Sequence, residues 1–302
     1  MRILITGATG LIGRSLCERL QGQAELHATT RDQQRARTLL PASVQLHSGL
    51  STVDMNHIDA VINLQGEPIA DKRWTKAQKQ RIESSRWTIT SQLAEAILAA
   101  DTPPEVFISG SAIGFYGPQP SEMTLTEDSA AVTGDFAQQL CARWEALAQQ
   151  VQANGRTRVC IVRTGVVLSQ QGGALKKMLP AYKLGLGGPI GSGAQMFSWI
   201  HLADMVGLLE HLLMNQDCVG VFNATAPHPV TNRAFSETLA RVLHRPHIFK
   251  VPAIALKLGL GEAASMLLTG QKVVPQKLLA AGFRFRYGTV SEALMACVSR
   301  PS

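Results

Sequence analysis

The sequence predicts an α/β fold, a doubly wound parallel sheet followed by a smaller, mainly helical region. Three observations carry this reading. Short apolar runs alternate with helical patterns over the first two thirds of the chain, a glycine-punctuated turn joins the first run to the first helix, and beyond Arg163 the alternation gives way to glycine-rich loops. Residues 3–5, 25–29, 44–46, 60–64, 106–109 and 159–163 read as strands because they are brief and mostly apolar. Runs apolar on both faces belong to a parallel sheet covered by helices on both sides. Between them, residues 11–20, 33–39, 80–99 and 136–152 space their apolar side chains for helices with one buried face.

Past Arg163, Gly172, Gly173 and the stretch from Gly185 to Gly193 imply loops that approach a ligand or another backbone. A helix over 202–214 and a strand over 219–223 are expected to return the chain to the sheet. Residues 251–268 form the longest apolar stretch, but Pro252, Lys257, Gly259, Gly261 and Glu262 interrupt it. It reads as a pair of short buried or capping helices and not as a membrane span.

Of the 302 residues, 45% are hydrophobic and 17% charged, the composition of a globular chain with a sizeable core. Twenty-nine basic residues over 22 acidic ones give a formal charge of +7, which suits an anionic ligand. No basic run with interleaved aromatics appears, so nucleic acid is not expected as a partner. The cysteines Cys17, Cys141, Cys160, Cys218 and Cys297 lie far apart, as buried thiols of a reducing cytoplasm do. The chain starts directly on a core strand with no leader pattern, so a cytoplasmic protein is expected. The histidines never fall at ligand spacing with Cys or an acid, and no metal is expected.

The first strand runs straight into Gly7, Gly10 and Gly13, and a helical pattern follows. Chemistry dictates that spacing. Gly7 permits the tight turn, Gly10 lets the backbone approach a pyrophosphate, and Gly13 lets the helix pack close to the strand. Phosphate then sits on free amides at a helix N-terminus. Thr9, Leu11 and Ile12 complete this turn. The sequence therefore predicts dinucleotide binding on a Rossmann-type sheet, with residues 1–165 and 200–226 forming the nucleotide unit and 166–199 and 227–302 the substrate region.

An enzyme preferring NAD places an acid at the end of the second strand for the ribose 2'-hydroxyl, whereas NADP needs cations there. Here Thr30 and Arg31 end that strand, Arg14 follows the last glycine, and Arg35 lies one turn beyond Arg31. Guanidinium suits a terminal phosphate, so the expected cofactor is NADP(H), with Asp32 as the one residue against it.

The opening Thr6 to Gly13, the segment from Ile58 to Gly66 and the segment from Ile108 to Gly117 resemble the extended short-chain dehydrogenase/reductases. Residues 66–74, 185–193, 199–204 and 271–276 are similar to the atypical subgroup called epimerase family proteins. The likeness covers nearly the whole chain. It implies cofactor contacts from Leu64, Gln65, Gly66, Glu67 and Ser109. It also implies a catalytic Ser, Tyr and Lys, in which the Lys lowers the Tyr pKa and the Ser positions the substrate oxygen. Ser111 matches the Ser. On the same register Phe136 stands in place of the Tyr and Leu140 in place of the Lys, and a shift by one residue puts Ala137 and Cys141 there instead. Phe carries no exchangeable proton and Leu no charge.

Ser111 and Tyr116 are therefore the candidate catalytic residues, with Tyr116 as a replacement proton donor unless, as its place in the turn favours, it is a tyrosine that closes the turn by packing. Glu67 reads as a cofactor contact or a solvated loop acid. Lys72, Arg73 and Trp74 form a cluster able to cap a site or to anchor a helix start, and His201 reads as structural. Two functions fit: an NADP(H)-dependent oxidoreductase or epimerase-like enzyme for a small carbonyl, hydroxyl or sugar-nucleotide compound, or a catalytically silent NADP(H)-responsive regulator with a protein partner.

Overall fold

The computed structural model describes residues 1–298. Seven strands form one parallel sheet: β1 (Arg2–Thr6), β2 (Glu25–Thr29), β3 (Gln45–His47), β4 (Ala60–Asn63), β5 (Val106–Ala112), β6 (Arg158–Thr164) and β7 (Gly220–Ala224). Their spatial order is β7-β6-β5-β4-β1-β2-β3. The chain reverses direction across the sheet between β1 and β4, where Ile3 pairs with Ala60 and Thr6 with Asn63. That reversal opens the crevice in which sheets of this kind bind ligands.

Helices α1 (Leu11–Leu20), α2 (Gln33–Leu39), α3 (Lys76–Ala99), α4 (Phe136–Gln149), α5 (Gly173–Lys183) and α6 (Leu202–Met214) follow in chain order. On one face of the sheet Leu16 and Leu20 of α1 pack with Leu208 and Leu212 of α6 against Ile3, Ile5, Ile62 and Ile108. On the other, Leu93 and Ile97 of α3 and Ala148 of α4 cover Leu4, Val61, Phe107 and Ile161. The predicted helices 11–20, 33–39 and 202–214 match in full. α3 starts earlier than its apolar spacing suggests because Thr75 caps it, its side chain accepting from the Gln78 amide. α4 tightens into a 3-10 turn, Gln150–Asn154, and ends at Gly155 in the left-handed region.

Beyond β6 a separate core forms from Leu175, Leu179 and Tyr182 of α5, Phe235 and Leu239 of α7 (Asn232–Val242), and Leu294. Gly188 explains part of the glycine-rich stretch, since a Cβ there would lie 1.9 Å from the Phe249 carbonyl oxygen. The chain approaches another backbone at that point. Residues 251–268 do form short helices, with α8 at Ala253–Leu260. Of the two alternatives, buried or capping, burial does not hold for α8, where Ile254 and Leu258 are 69% and 74% exposed. Among the described residues no helix is long and apolar enough to cross a membrane. All five cysteines are buried and free.

Candidate active site

A cavity of about 590 Å³ opens at the C-terminal ends of β1, β4, β5 and β6. Its floor is built by glycine. Gly7 has φ +71°, and a Cβ there would meet the Leu64 carbonyl carbon at 2.7 Å. A Cβ at Gly13 would fall 2.5 Å from the Gly7 oxygen, so α1 can sit this close to β1 only without side chains at both positions. Gly10 caps α1 with no side-chain bond, which leaves the first amides of the helix for a ligand. Leu11, Ile12, Leu64 and Gly66 line the same wall. The cradle fits a dinucleotide pyrophosphate.

The residues expected to hold a cofactor are distributed unequally around it. Arg14 is half-buried and its Nε has no partner. Arg31, just past the end of β2, and Arg35, in the first turn of α2, are exposed. Asp32 is committed elsewhere: it caps α2, with Oδ1 accepting from the Arg35 amide at 2.9 Å, while the Thr30 hydroxyl donates to the Asp32 carbonyl. Thr9 and Gln65 lie beside lining residues without lining the cavity themselves. Ser109 is fully buried, and among the described residues its hydroxyl bonds to Asn63 and the Gly110 carbonyl. Glu67 turns away from the cavity, its amide on Ser85 Oγ and its carboxylate 3.7 Å from Lys72. Of the 72–74 cluster only Trp74 lines the cavity, held by its indole donating to the Ile69 carbonyl at 2.8 Å.

Ser111 reaches the cavity from the tip of β5 and is 4% exposed. Its hydroxyl donates to Glu145 Oε1 at 2.6 Å. Glu145 in turn accepts two bonds from Arg163, Nε to Oε1 at 2.9 Å and Nη2 to Oε2 at 2.8 Å. The Arg163 guanidinium lies 3.4 Å from the Phe115 ring centre. Burial opposes its charge, and the bonds and field of Glu145 more than restore it, so its pKa stands above the ordinary value. Cys141 also lines the cavity near Ser111. Burial, reinforced by Glu145, pushes its thiol up to about 12, which keeps it neutral.

Phe136 and Leu140 occupy the α4 positions where the resemblance asks for Tyr and Lys. Phe136 packs edge-on to Trp74 at 4.9 Å, and Leu140 lines the cavity, buried. Tyr116 does not replace them. It is fully buried, absent from the cavity wall, and donates to Asn223 Oδ1 at 2.6 Å. Burial raises its pKa against the nearby Arg163. The candidate donor is thus a strut tying the turn after β5 to β7. His201 is structural as expected: its Nδ1 accepts from the Ala203 amide and caps α6.

Sequence reasoning missed Glu145 and Arg163, and it also missed a charged side chain of the cavity wall. Arg86 of α3 projects into the wall beside Gly66, where a Cβ would lie 2.8 Å from its Cζ. Its Nη1 donates to the Ile82 carbonyl and Ser85 Oγ, and the guanidinium sits 5.2 Å from the Trp144 ring centre. Trp144 is fixed from below by Thr90, which also accepts from Asn63. Burial lowers the Arg86 pKa, opposed by Cys141 and Glu67. Gly66 was the available signal, since a glycine ending a strand makes room for a large neighbour.

Residues 3–224 match the NAD dependent epimerase/dehydratase family. The chain belongs to that family. Within it, an epimerase family protein SDR39U1 homolog, chloroplastic, of Arabidopsis thaliana is 39% identical, over 98% of this chain and 86% of its own length. An epimerase family protein of Staphylococcus aureus is 38% identical over 98% of this chain and 99% of its own. Residues 251–297 of this epimerase/dehydratase family member match a domain of unknown function, DUF1731. The crystal structure of human epimerase family protein SDR39U1 (isoform2) with NADPH superposes with TM-score 0.89 and 34% identity, covering 98% of this chain and 99% of that one. UDP-glucuronic acid 4-epimerase from Bacillus cereus, at TM-score 0.77, 17% identity and 98% of both chains, shares the fold alone.

Proposed function

We propose that the protein is an NADP(H)-dependent oxidoreductase or epimerase-like enzyme that acts on a small carbonyl or hydroxyl compound without a Tyr and Lys pair. The observation that carries this is Ser111: it shares one cavity with the glycine cradle, and its proton is already committed to Glu145. Support for NADP over NAD comes from Arg31 standing where an acid would serve the 2'-hydroxyl, and from Asp32 spending an oxygen on its helix cap. The human neighbour with NADPH agrees.

A bound nicotinamide dinucleotide supplies two-electron transfer as hydride at the carbon bearing the substrate oxygen. The chain's own residues bind and orient the reactants. Gly10 and the α1 amides hold phosphate. Because Ser111 donates to Glu145, its oxygen is left to accept from a substrate hydroxyl. Arg163 fixes Glu145, so Ser111 cannot rotate without breaking a charge-assisted bond. Leu140, Trp74 and Phe197 exclude water from the same space.

Fluorescence titration of the purified protein with NADPH and NADH comes first, then incubation of the loaded protein with a panel of carbonyl and hydroxyl compounds. Absorbance reports net oxidation or reduction, and NMR reports an epimerisation that regenerates its cofactor. Tight NADPH binding with turnover is the expected result. Tight binding without turnover assigns the regulator reading, which the loss of both acid/base side chains favours, and no binding overturns both.

A further inference from the structure

We infer that the substrate end of this cavity takes an uncharged molecule with an apolar body, and not a sugar nucleotide. This rests on the reading of the cavity as a joint cofactor and substrate site. Two charged side chains, Arg86 and Asp135, line it among the described residues. Arg86 lies on the cofactor side, packed between Gly66 and Trp144. Asp135 caps α4, with Oδ1 accepting from the Gln138 amide at 2.8 Å, and adds a negative charge. The remaining wall is mostly apolar, with Met178 of α5, Phe197, Ile113, Met266 and Leu267, and its polar side chains include Gln195, Asn232 and Gln271, which already bond backbone groups through Nε2, Oδ1 and Nε2.

A nucleotide diphosphate brings at least two negative charges into this space. Desolvating them with no fixed cation costs several kcal/mol, which is why diphosphate sites recruit guanidinium forks. Three lysines around the cavity are already paired, Lys72 with Glu67, Lys177 with Asp71 and Lys79 with Glu262, and Arg233 donates to the Ser192 carbonyl. Arg73 runs along Gly261, outside the lining. An apolar body gains instead from burial against Met, Phe and Leu, at roughly 25 cal/mol per Å². A hydroxyl on that body finds its acceptor in Ser111.

The test uses the full-length protein, both cofactor-free and saturated with NADP, titrated with 2-naphthol, with 2-naphthol disulfonate, which adds two charges to the same body, and with UDP-glucose. The expected result is saturable 2-naphthol binding, with the disulfonate at least about 100-fold weaker and UDP-glucose unable to displace the naphthol. Met266 is 37% exposed and tolerates a long side chain, so Met266→Lys is expected to weaken 2-naphthol and strengthen the disulfonate. The pair Ile254→Asp and Leu258→Asp, on exposed α8, is expected to leave 2-naphthol binding unchanged. Disulfonate or UDP-glucose binding as tight as 2-naphthol overturns the inference, and so does loss of 2-naphthol binding in the α8 variant. Should NADPH fail to bind while 2-naphthol binds the cofactor-free protein, the proposed function falls and the ligand class stands.

Discussion

Ser111 Oγ donates to Glu145 Oε1 at 2.6 Å, and that one bond reverses the role the serine plays in the resemblance. A serine whose proton is spent can only accept from a ligand. The native protein should therefore prefer 2-naphthol over 2-methoxynaphthalene, which lacks the donor, by about three- to tenfold, the worth of one net hydrogen bond. Ser111→Ala should remove that preference and leave NADPH affinity unchanged. A preference that survives in Ser111→Ala, read by the same fluorescence titration, places the hydroxyl elsewhere.

Glu145 and Arg163 are 3% and 4% exposed and satisfy each other through two bonds. Removing one partner leaves a buried charge, so Arg163→Met should cost about 3–5 kcal/mol in urea denaturation. Adding Glu145→Leu should recover much of that loss, because two apolar side chains fill the same space without an orphan charge. Additive destabilisation in the double variant would show that the two charges are not coupled in solution.

Arg86 and Arg31 should divide the cofactor between them. A dinucleotide bound in the usual way for such a sheet would run from β2 over the α1 amides toward β4 and β5, with Arg31 on its adenosine side and Arg86 on its nicotinamide side. Arg86→Leu should weaken NADPH about tenfold or more, the worth of a bond to a charged donor, and leave 2',5'-ADP binding intact. Arg31→Asp should weaken NADPH and 2',5'-ADP together and spare NADH. Equal losses on NADH and NADPH for Arg31→Asp would sink the 2'-phosphate assignment.

What the sequence made legible was whatever local rules dictate. The turn through Gly7, Gly10 and Gly13 needs only its neighbours, and the strands and helices around it keep their periods. Arg163 and Glu145 were hidden because each is a single charge inside an apolar pattern, Arg163 closing the run 159–163 and Glu145 on the buried side of α4. Only tertiary packing reveals that they face one another. Tyr116 was misplaced for a related reason. Its separation of five residues from Ser111 permits a fold back over the cavity, but the 3-10 turn Ile113–Tyr116 ends at Gly117 with φ +68°, and the ring is carried to Asn223 instead.

His201 sets a pH limit on the fold. Burial, with Arg286 adding to it, lowers its pKa from 6.5 to about 4, and its neutral Nδ1 accepts the Ala203 amide at the start of α6. A depressed histidine pKa means that the unfolded chain takes the proton first. Its contribution is thus complete above pH 6.5, falls as the pH drops toward 4, and is lost below it. Protonation also removes the cap, since an imidazolium accepts no hydrogen bond. His201→Asn retains a capping acceptor and cannot titrate. Its Tm should therefore fall less steeply than the native protein's between pH 6.5 and 4, measured by circular dichroism on both proteins in one buffer series. Parallel Tm profiles for the two would mean that His201 titrates normally and that the acid sensitivity arises elsewhere.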